Sequence, residues 1–286
     1  MIKKILVIGG TGMLGFPVAK QLKDDGYTSD ILTTNPDKAA KKFGDDFNYI
    51  SGDVKSESEL RKTLKDYDGV HINLNSNSYK DLQEIEVNGC RNIVNALKGS
   101  EVKKITLISG LGVSEANTHI PFIKAKMEME HAVRNSGIAY TIFNCTHFME
   151  SIPLYIRNGK AMIMGKQIHK IHWLAAEDYA RMVSRSFELK ASDFKNYSVI
   201  GPEEFTMEEV FKQYIEKKDA DLKITKVSLG MLGFIASITF NSKLKYLVEL
   251  MRYFETTPEK FDAQNFPEVL GLAKTSLNEW LSNGNS

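Results

Sequence analysis

A cluster of glycines near the amino terminus has the spacing that brings a peptide backbone against a phosphate group. Ile5 to Ile8 form a short apolar run, Gly9-Gly10-Thr11-Gly12-Met13-Leu14-Gly15 interrupts it, and helix-compatible sequence resumes at Phe16. A buried strand, a glycine turn and a helix N-terminus in this order surround a pyrophosphate with backbone N–H groups and the positive end of a helix. A side chain at the glycine positions would hold the phosphates away from the backbone. The pattern predicts a dinucleotide-binding turn that includes Gly9, Thr11, Gly12, Met13, Leu14 and Gly15.

The end of the second predicted strand bears on which dinucleotide is bound. A carboxylate at this position normally holds the ribose hydroxyls of NAD. Here the predicted strand, Asp30 to Thr34, ends with Thr33 and Thr34, which are followed by Asn35 and, one helical turn further, by Lys38. The lack of a carboxylate removes repulsion against a 2′-phosphate, and hydroxyl, amide and ammonium donors can bind one. These residues favour NADP as the cofactor, with NAD as the weaker alternative.

Three polar residues follow the next predicted strands. Asp53 comes after the strand at 47–50, Asn75 after the strand at 69–74, and Ser109 after the strand at 102–108. Ligands of open α/β sheets collect at the carboxyl ends of the strands. We therefore expect Asp53 at the adenine, Asn75 near the nicotinamide and Ser109 facing the cofactor. The alternative for Asp53 and Ser109 is a local role in a turn.

Alternating apolar runs and amphipathic helices predict the fold class. They indicate an α/β protein with a doubly wound parallel sheet of the Rossmann type and helices on both faces. We expect this cofactor-binding core to occupy residues 1–150, with residues 168–200 returning to it. Residues 151–167 and 201–286 then form a small, mainly helical subdomain at the substrate cleft.

After residue 167, three segments carry specific expectations. Ile168 to Trp173 reads as a strand, and Thr206 with Glu209 forms a capping box that begins a helix. The remainder of the chain to Trp280 is predicted to be helical. Its longest uncharged stretch, Val227 to Phe240, is shorter than the roughly 20 residues that a membrane-spanning helix needs. We expect a buried helix there, with a pocket lid or a subunit contact as the alternative.

Composition and charge exclude several classes of protein. The 286 residues include 37 basic and 36 acidic side chains, and no basic block interleaves with aromatic residues, which excludes a typical nucleic-acid surface. The N-terminus has no signal-peptide profile. Cys90 and Cys145 lie far apart, as expected for reduced thiols of a cytoplasmic protein, and no metal-ligand spacing is present. The expected partner is a small-molecule substrate, and the chain is expected to have no membrane-spanning segment. Two further partners stay open: a second copy of the chain in a homodimer, or a protein that this chain regulates.

An ordered series of short motifs resembles the NmrA-like, atypical short-chain dehydrogenase/reductase family. The series covers nearly the whole chain and consists of the glycine turn, Gly52-Asp53, Asn88, Ser109, Lys126-x-Glu128-x-Glu130, Ser136-Gly137-Ile138, Ala176 to Ala180 and Gly201 to Thr206. The resemblance implies a Rossmann domain with a small C-terminal subdomain that closes the cleft. It also implies NAD(P) binding, usually of NADP(H). Activities in the family range from quinone or ketone reduction to sugar-nucleotide chemistry, and some members are redox sensors without catalysis.

The chain departs from this family at the position of its proton donor. Short-chain reductases pair a tyrosine with a lysine four residues later, and here Lys126 is preceded by Phe122, which has no proton to give. The resemblance assigns Lys126 to the nicotinamide ribose and Ser109 to the substrate carbonyl. His147 follows Asn144-Cys145, where the family usually has arginine-proline, and can supply the missing proton or simply line the pocket.

These residues together favour an NAD(P)H-dependent oxidoreductase that reduces a small quinone or conjugated carbonyl. Such acceptors can take their proton from water or another side chain, so the loss of the tyrosine does not abolish the reaction. Two alternatives stay open. The first is a non-catalytic NAD(P)-binding redox sensor, which Phe122 favours; the second is a sugar-nucleotide epimerase, which Phe122 disfavours.

Overall fold

The computed structural model describes residues 1–218 and 221–283 of the chain. Its strands are β1 (Lys4–Ile8), β2 (Thr28–Thr33), β3 (Asn48–Ser51), β4 (Gly69–Ile72), β5 (Lys104–Gly110), β6 (Ala139–Cys145), β7 (Ile156–Arg157), β8 (Lys160–Met164), β9 (Ile171–His172), β10 (Lys195–Val199), β11 (Glu204–Phe205) and β12 (Lys223–Val227). Its helices are α1 (Gly15–Asp24), α2 (Pro36–Phe43), α3 (Glu57–Thr63), α4 (Tyr79–Asp81), α5 (Asn88–Ala96), α6 (Pro121–Arg134), α7 (Ala176–Glu188), α8 (Met207–Lys218), α9 (Leu229–Ile238), α10 (Ser242–Thr256) and α11 (Leu277–Ser282). A short π-helix, Leu82–Val87, joins α4 to α5.

The main sheet has seven parallel strands in the order β10-β6-β5-β4-β1-β2-β3. The chain builds outward from β1 through β2 to β3, then crosses to the other side of β1 and continues with β4. This reversal opens a crevice at the carboxyl ends of β1 and β4, where α/β proteins bind their ligands. The predicted doubly wound, Rossmann-type α/β fold is confirmed.

The two faces of the sheet bury separate apolar layers. Leu6 and Ile8 of β1 pack with α3, α5 and α6, whereas Ile5 and Val7 of the same strand pack with α1 and α7. Successive side chains of a strand point to opposite faces, so a strand covered on both sides reads as a continuous apolar run. The short apolar run that precedes the glycine turn is therefore explained by burial on both faces.

The second part of the structure contains more strand than we predicted. β7 forms a hairpin with β8. β12 pairs in parallel with β8, whereas the residues after 215 were expected to be helical. Three of the five residues of Lys223–Val227 are β-branched, which favours a strand over a helix. Residues 257–276 are also largely non-helical, since Pro258 and Pro267 cannot continue a helix.

The strand that we predicted at 168–173 is short and lies outside the main sheet. Only Ile171–His172 forms a strand, and it pairs antiparallel with Glu204–Phe205. The chain rejoins the main sheet later, where β10 pairs in parallel with β6. The predicted capping box at the start of α8 is confirmed, because the Glu209 backbone N–H donates to Thr206 and the Thr206 backbone N–H donates to the Glu209 carboxylate.

The expectation of a buried helix at Val227–Phe240 is wrong for one face of α9. Leu229 and Ala236 are buried, and Leu229 packs against α10, but Phe234 and Ile238 are exposed to solvent. Packing on a single neighbouring helix can cover only one side of α9. Within the described residues, no helix is long and apolar enough to cross a membrane.

His71 makes the stability of the fold depend on pH. It is fully buried in β4, with Nδ1 2.8 Å from the Thr106 hydroxyl, and burial lowers its pKa to about 3. Between that value and the unfolded pKa of about 6.5, the unfolded chain binds the proton and the folded chain does not. Stability is therefore complete above the unfolded pKa and falls as the pH decreases towards the folded pKa.

We expect His71 to lower the free energy of unfolding by about 2 kcal/mol at pH 5 relative to pH 7. Denaturant unfolding of the wild type and of His71→Leu across this range measures the effect, and the variant should lack that part of the decline. Exposed His119 offers a matched control, His119→Leu, which should keep the wild-type pH dependence. A His71→Leu profile parallel to that of the wild type would contradict the assignment.

Candidate active site

A large cleft lies at the carboxyl ends of β1, β4, β5, β6 and β10. Its volume is about 680 Å³, and it begins at the glycine turn and ends under the segment that follows α10. Its walls include residues from every part of the fold: Gly9, Gly12, Met13, Leu14, Asn73, Leu74, Asn75, Ser109 to Ser114, Phe122, Lys126, Asn144 to Phe148, Tyr253, Phe254 and 257–262. The size is within the range of cofactor and small-molecule sites.

Gly9 and Gly15 leave no room for a side chain at the two ends of the glycine turn. Gly9 has φ +83°, and a Cβ there would lie 2.9 Å from the carbonyl carbon of Asn73. A Cβ on Gly15 would lie 2.8 Å from the carbonyl carbon of Gly9. α1 begins at Gly15 with neither a side-chain cap nor an acidic residue in its first turn. The positive end of this uncapped helix therefore fits the diphosphate of a dinucleotide.

The residues predicted to hold the adenosine end lie away from the described cleft wall. Asn35 caps α2, because its Oδ1 accepts the Lys38 backbone N–H at 2.9 Å, and Thr34 immediately precedes it. Asp53 accepts the Lys55 backbone N–H at 2.9 Å, a turn role that we had considered as its alternative. Thr11 and Gly15 belong to the glycine turn but do not line the cleft. Cofactor contacts of these residues stay predictions.

Lys126 is held in the cleft wall by a buried ion pair. Its Nζ lies 2.6 Å from Glu86 Oε2 and donates to the Leu74 carbonyl at 3.1 Å. The side chains are only 6% and 0% exposed, and Ser76 donates to the other Glu86 oxygen at 2.6 Å. Asn75, which lies next to Leu74, also lines the cleft. A lysine ammonium has three donors, so one N–H of Lys126 remains for a ligand.

Ser109 lines the cleft, but its hydroxyl proton is already committed. Ser109 Oγ donates to Glu130 Oε1 at 2.6 Å, and Asn144 donates to the same oxygen at 2.7 Å. Arg134 donates to the second Glu130 oxygen at 3.3 Å. In this arrangement Ser109 offers a lone pair to the cleft and cannot also donate to a substrate carbonyl. Sequence reasoning missed Glu130 as a site residue, although its i,i+4 spacing from Lys126 places both on one face of α6.

His147 also lines the cleft, beside aromatic rings. Its ring centroid is 4.3 Å from that of Phe254, and burial lowers its pKa although the nearby Glu259 carboxylate opposes the shift. Glu259 itself accepts from His172 Nδ1 at 2.9 Å and from the Thr146 hydroxyl. His147 is therefore neutral at neutral pH. It can donate a hydrogen bond from its ring, but it is not a charged acid.

Tyr253 provides a phenol that sequence reasoning missed. Its hydroxyl lies against Gly112 in the cleft wall, and burial raises its pKa, so the proton stays on the oxygen at neutral pH. Within residues 1–218 and 221–283 the hydroxyl has no hydrogen-bond acceptor. Tyr253 comes from α10, far along the chain from Ser109, and no local spacing connects them.

Cys145 also lines the cleft, but burial raises its thiol pKa well above the ordinary value, which makes it unreactive.

Comparison with known proteins supports the cofactor class. The pattern of a family described as NAD(P)H-binding matches residues 9–167, more than half of the chain. The photosystem II assembly factor Ycf39 of Synechocystis is 24% identical over 280 residues, which is 95% of this chain and 81% of that protein. An NAD(P)H azoreductase of Xenophilus azovorans is 24% identical over 209 residues, which is 72% of this chain and 71% of that protein.

Among solved structures, the NADPH-dependent quinone oxidoreductase QOR2 of Escherichia coli in complex with NADPH superposes with a TM-score of 0.77. The two chains are 20% identical, and the match covers 98% of this chain and 99% of the other, which establishes the shared fold. The glycine cradle, the ordered motifs and the matched family pattern agree. The chain therefore belongs to the NAD(P)H-binding, NmrA-like family of atypical short-chain dehydrogenase/reductase proteins.

Proposed function

We propose that this protein is an NADPH-dependent reductase of small quinones or conjugated carbonyls. The observation that carries the proposal is the single cleft that connects the glycine turn to a substrate-sized space between Lys126 and Tyr253. A protein that only senses its cofactor has no need of such a space. The names of the azoreductase and the quinone oxidoreductase, both similar to this chain, are consistent with this class of acceptor.

The cofactor preference rests on the residues after β2. Thr34, Asn35 and Lys38 offer a hydroxyl, an amide and an ammonium group, and no carboxylate from Thr33 to Asn35 repels a 2′-phosphate. Gly9, Gly12, Met13 and Leu14 would hold the diphosphate, and Lys126 would bind the nicotinamide ribose with its remaining N–H. When bound, NADPH supplies the hydride that, together with one proton, converts a quinone to a hydroquinone.

The side chains around the reacting end favour an acceptor that needs little acid catalysis. Phe122 replaces the usual tyrosine and lies with its ring centroid 5.6 Å from the Lys126 ammonium. Ser109 donates to Glu130, and the cleft wall offers other donors that include the phenol of Tyr253 and the ring N–H of neutral His147. Quinones delocalise the negative charge that they acquire, so these weak donors suffice. Phe122, Phe148 and Phe254 supply apolar contacts for a flat ring.

Absorbance-monitored oxidation of NADPH and NADH with a panel of quinones, conjugated aldehydes and simple ketones tests the proposal. We expect turnover of quinones, tighter binding of NADPH than of NADH, and little turnover of simple ketones. Tight NADPH binding without turnover of any acceptor would overturn the reductase and favour the redox sensor. In that case the next measurement is binding to a protein partner with and without NADPH.

Phe122→Tyr is expected to raise the turnover of simple ketones by roughly 100-fold, because it restores an acid beside Lys126. Quinone turnover should change little, since proton donation does not limit the rate of that reaction. Phe122→Leu is the matched control, because it changes the ring without adding a hydroxyl. Equal ketone activity in both variants would show that space, rather than the proton donor, limits the reaction.

A further inference from the structure

We infer that the outer face of α9, with Phe240 beyond its end, docks on the surface of an anionic lipid bilayer. This surface is separate from the cleft described above. Three observations carry the inference: an apolar stripe exposed to water, a phenylalanine in a backbone conformation that glycine usually adopts, and a sequence around the stripe in which the charged residues are all lysines.

The exposed stripe has the spacing of one helical face. Met231, Phe234, Ile235 and Ile238 stand at i, i+3, i+4 and i+7, and they are 52%, 66%, 37% and 59% exposed. The opposite face packs with Leu229 and Leu232 against Val248 and Met251 of α10. A surface helix of a globular protein normally has one apolar face and one polar face. α9 has two apolar faces, and residues 1–218 and 221–283 cover only one of them.

Phe240 extends this surface at a cost in backbone energy. It follows the C-cap of α9 with φ +50°, a left-handed conformation in which glycine is usual. The Asn241 backbone N–H donates to the Ala236 carbonyl at 3.0 Å and closes the helix around it. The Phe240 side chain is 92% exposed. Both the strained backbone and the solvated ring are unfavourable within the isolated chain, which indicates that the ring contacts something outside it.

The charges around the stripe decide what that contact is. From Leu222 to Lys245 the sequence contains Lys223, Lys226, Lys243 and Lys245 and no acidic residue. Lys226 pairs with Glu208 at 2.7 Å, while Lys243 and Lys245 are exposed beside Phe240. A two-fold contact between two copies that is centred on Phe240 would bring these lysines close to their equivalents, which is repulsive. Anionic phospholipids complement an apolar stripe edged by lysines.

The geometry fits a helix that lies along a bilayer surface. α9 has ten residues, and the segment from Val227 to Ser242 has no charged side chain, so the stripe can enter the headgroup boundary without burying a charge. Lys243 and Lys245 follow directly and can remain at the headgroups. Small residues, Gly230, Gly233 and Ser237, separate the large apolar ones.

Co-sedimentation of the full chain with vesicles tests the inference. The probes are vesicles of phosphatidylcholine mixed with phosphatidylglycerol and vesicles of phosphatidylcholine alone, each at low and high salt. We expect binding to the anionic vesicles that weakens with salt and is much weaker for the neutral ones. Phe240→Gly should reduce the affinity roughly tenfold by removing one inserted ring. It should keep the thermal midpoint of the wild type, because glycine suits this backbone.

Phe194→Gly is the matched control. Phe194 also has a left-handed backbone, with φ +59°, and is 60% exposed, but its ring packs edge-on against Tyr140 at 5.4 Å. It should leave vesicle binding unchanged. Absence of binding to anionic vesicles, equal binding to neutral ones, or equal loss in both glycine variants would overturn the inference. A dimer in sedimentation velocity that Phe240→Gly dissociates would instead assign the face to a second copy of the chain.

Discussion

Replacing Lys126 by methionine is expected to lower the free energy of unfolding by about 3–5 kcal/mol. The cause is Glu86, which is fully buried and would be left with a negative charge and no cation 2.6 Å away. The same change should weaken NADPH binding roughly 10–100-fold, because it removes a charged hydrogen-bond donor from the cleft. Denaturant unfolding and fluorescence titration with NADPH measure the two effects.

A second substitution separates the two roles of Lys126. Lys126→Met combined with Glu86→Gln removes both charges, so most of the lost stability should return while NADPH binding stays weak. Lys124→Met is the matched control on the same helix, because Lys124 is exposed and should affect neither quantity. If the double variant recovers NADPH affinity together with stability, Lys126 has only a structural role.

Gly15→Ala is expected to lower the free energy of unfolding by about 3 kcal/mol, at the upper end of the usual cost of overpacking. The new Cβ would lie 2.8 Å from the Gly9 carbonyl carbon and 2.9 Å from Gly10 Cα, and neither backbone atom can move without displacing the whole turn. NADPH affinity should fall with stability, because the same turn presents the N–H groups that hold the diphosphate.

Gly12→Ala provides the contrast within the same turn. Its Cβ would meet only the Gly9 carbonyl oxygen, at 3.2 Å, and Gly12 lines the cleft. We expect stability within about 1 kcal/mol of the wild type. NADPH affinity should be clearly reduced, because the methyl group enters the space of the diphosphate. Wild-type stability of Gly15→Ala would contradict the close packing between the turn and α1.

The features that the sequence predicted are those that depend on neighbouring residues. The apolar run of β1, the glycine turn and the start of α1 follow one another within a few residues, and their local preferences agree with the final fold. The alternation of strands and helices was sufficient to predict a doubly wound parallel sheet. The capping box of Thr206 and Glu209 was predictable for the same reason, since both groups lie within one helical turn.

Other features depend on which distant elements meet. Ser109 loses its predicted role as a donor because α6 brings Glu130 to it, and Tyr253 enters the cleft from α10. The sequence of α9 has no charged residue, and such a helix is expected to be buried unless the number of neighbours around it is known. Only the tertiary structure shows that α10 covers one side alone. The sequence by itself therefore determined the fold and the cofactor turn, whereas proton donors and the exposed surface were decided by contacts between residues far apart in the chain.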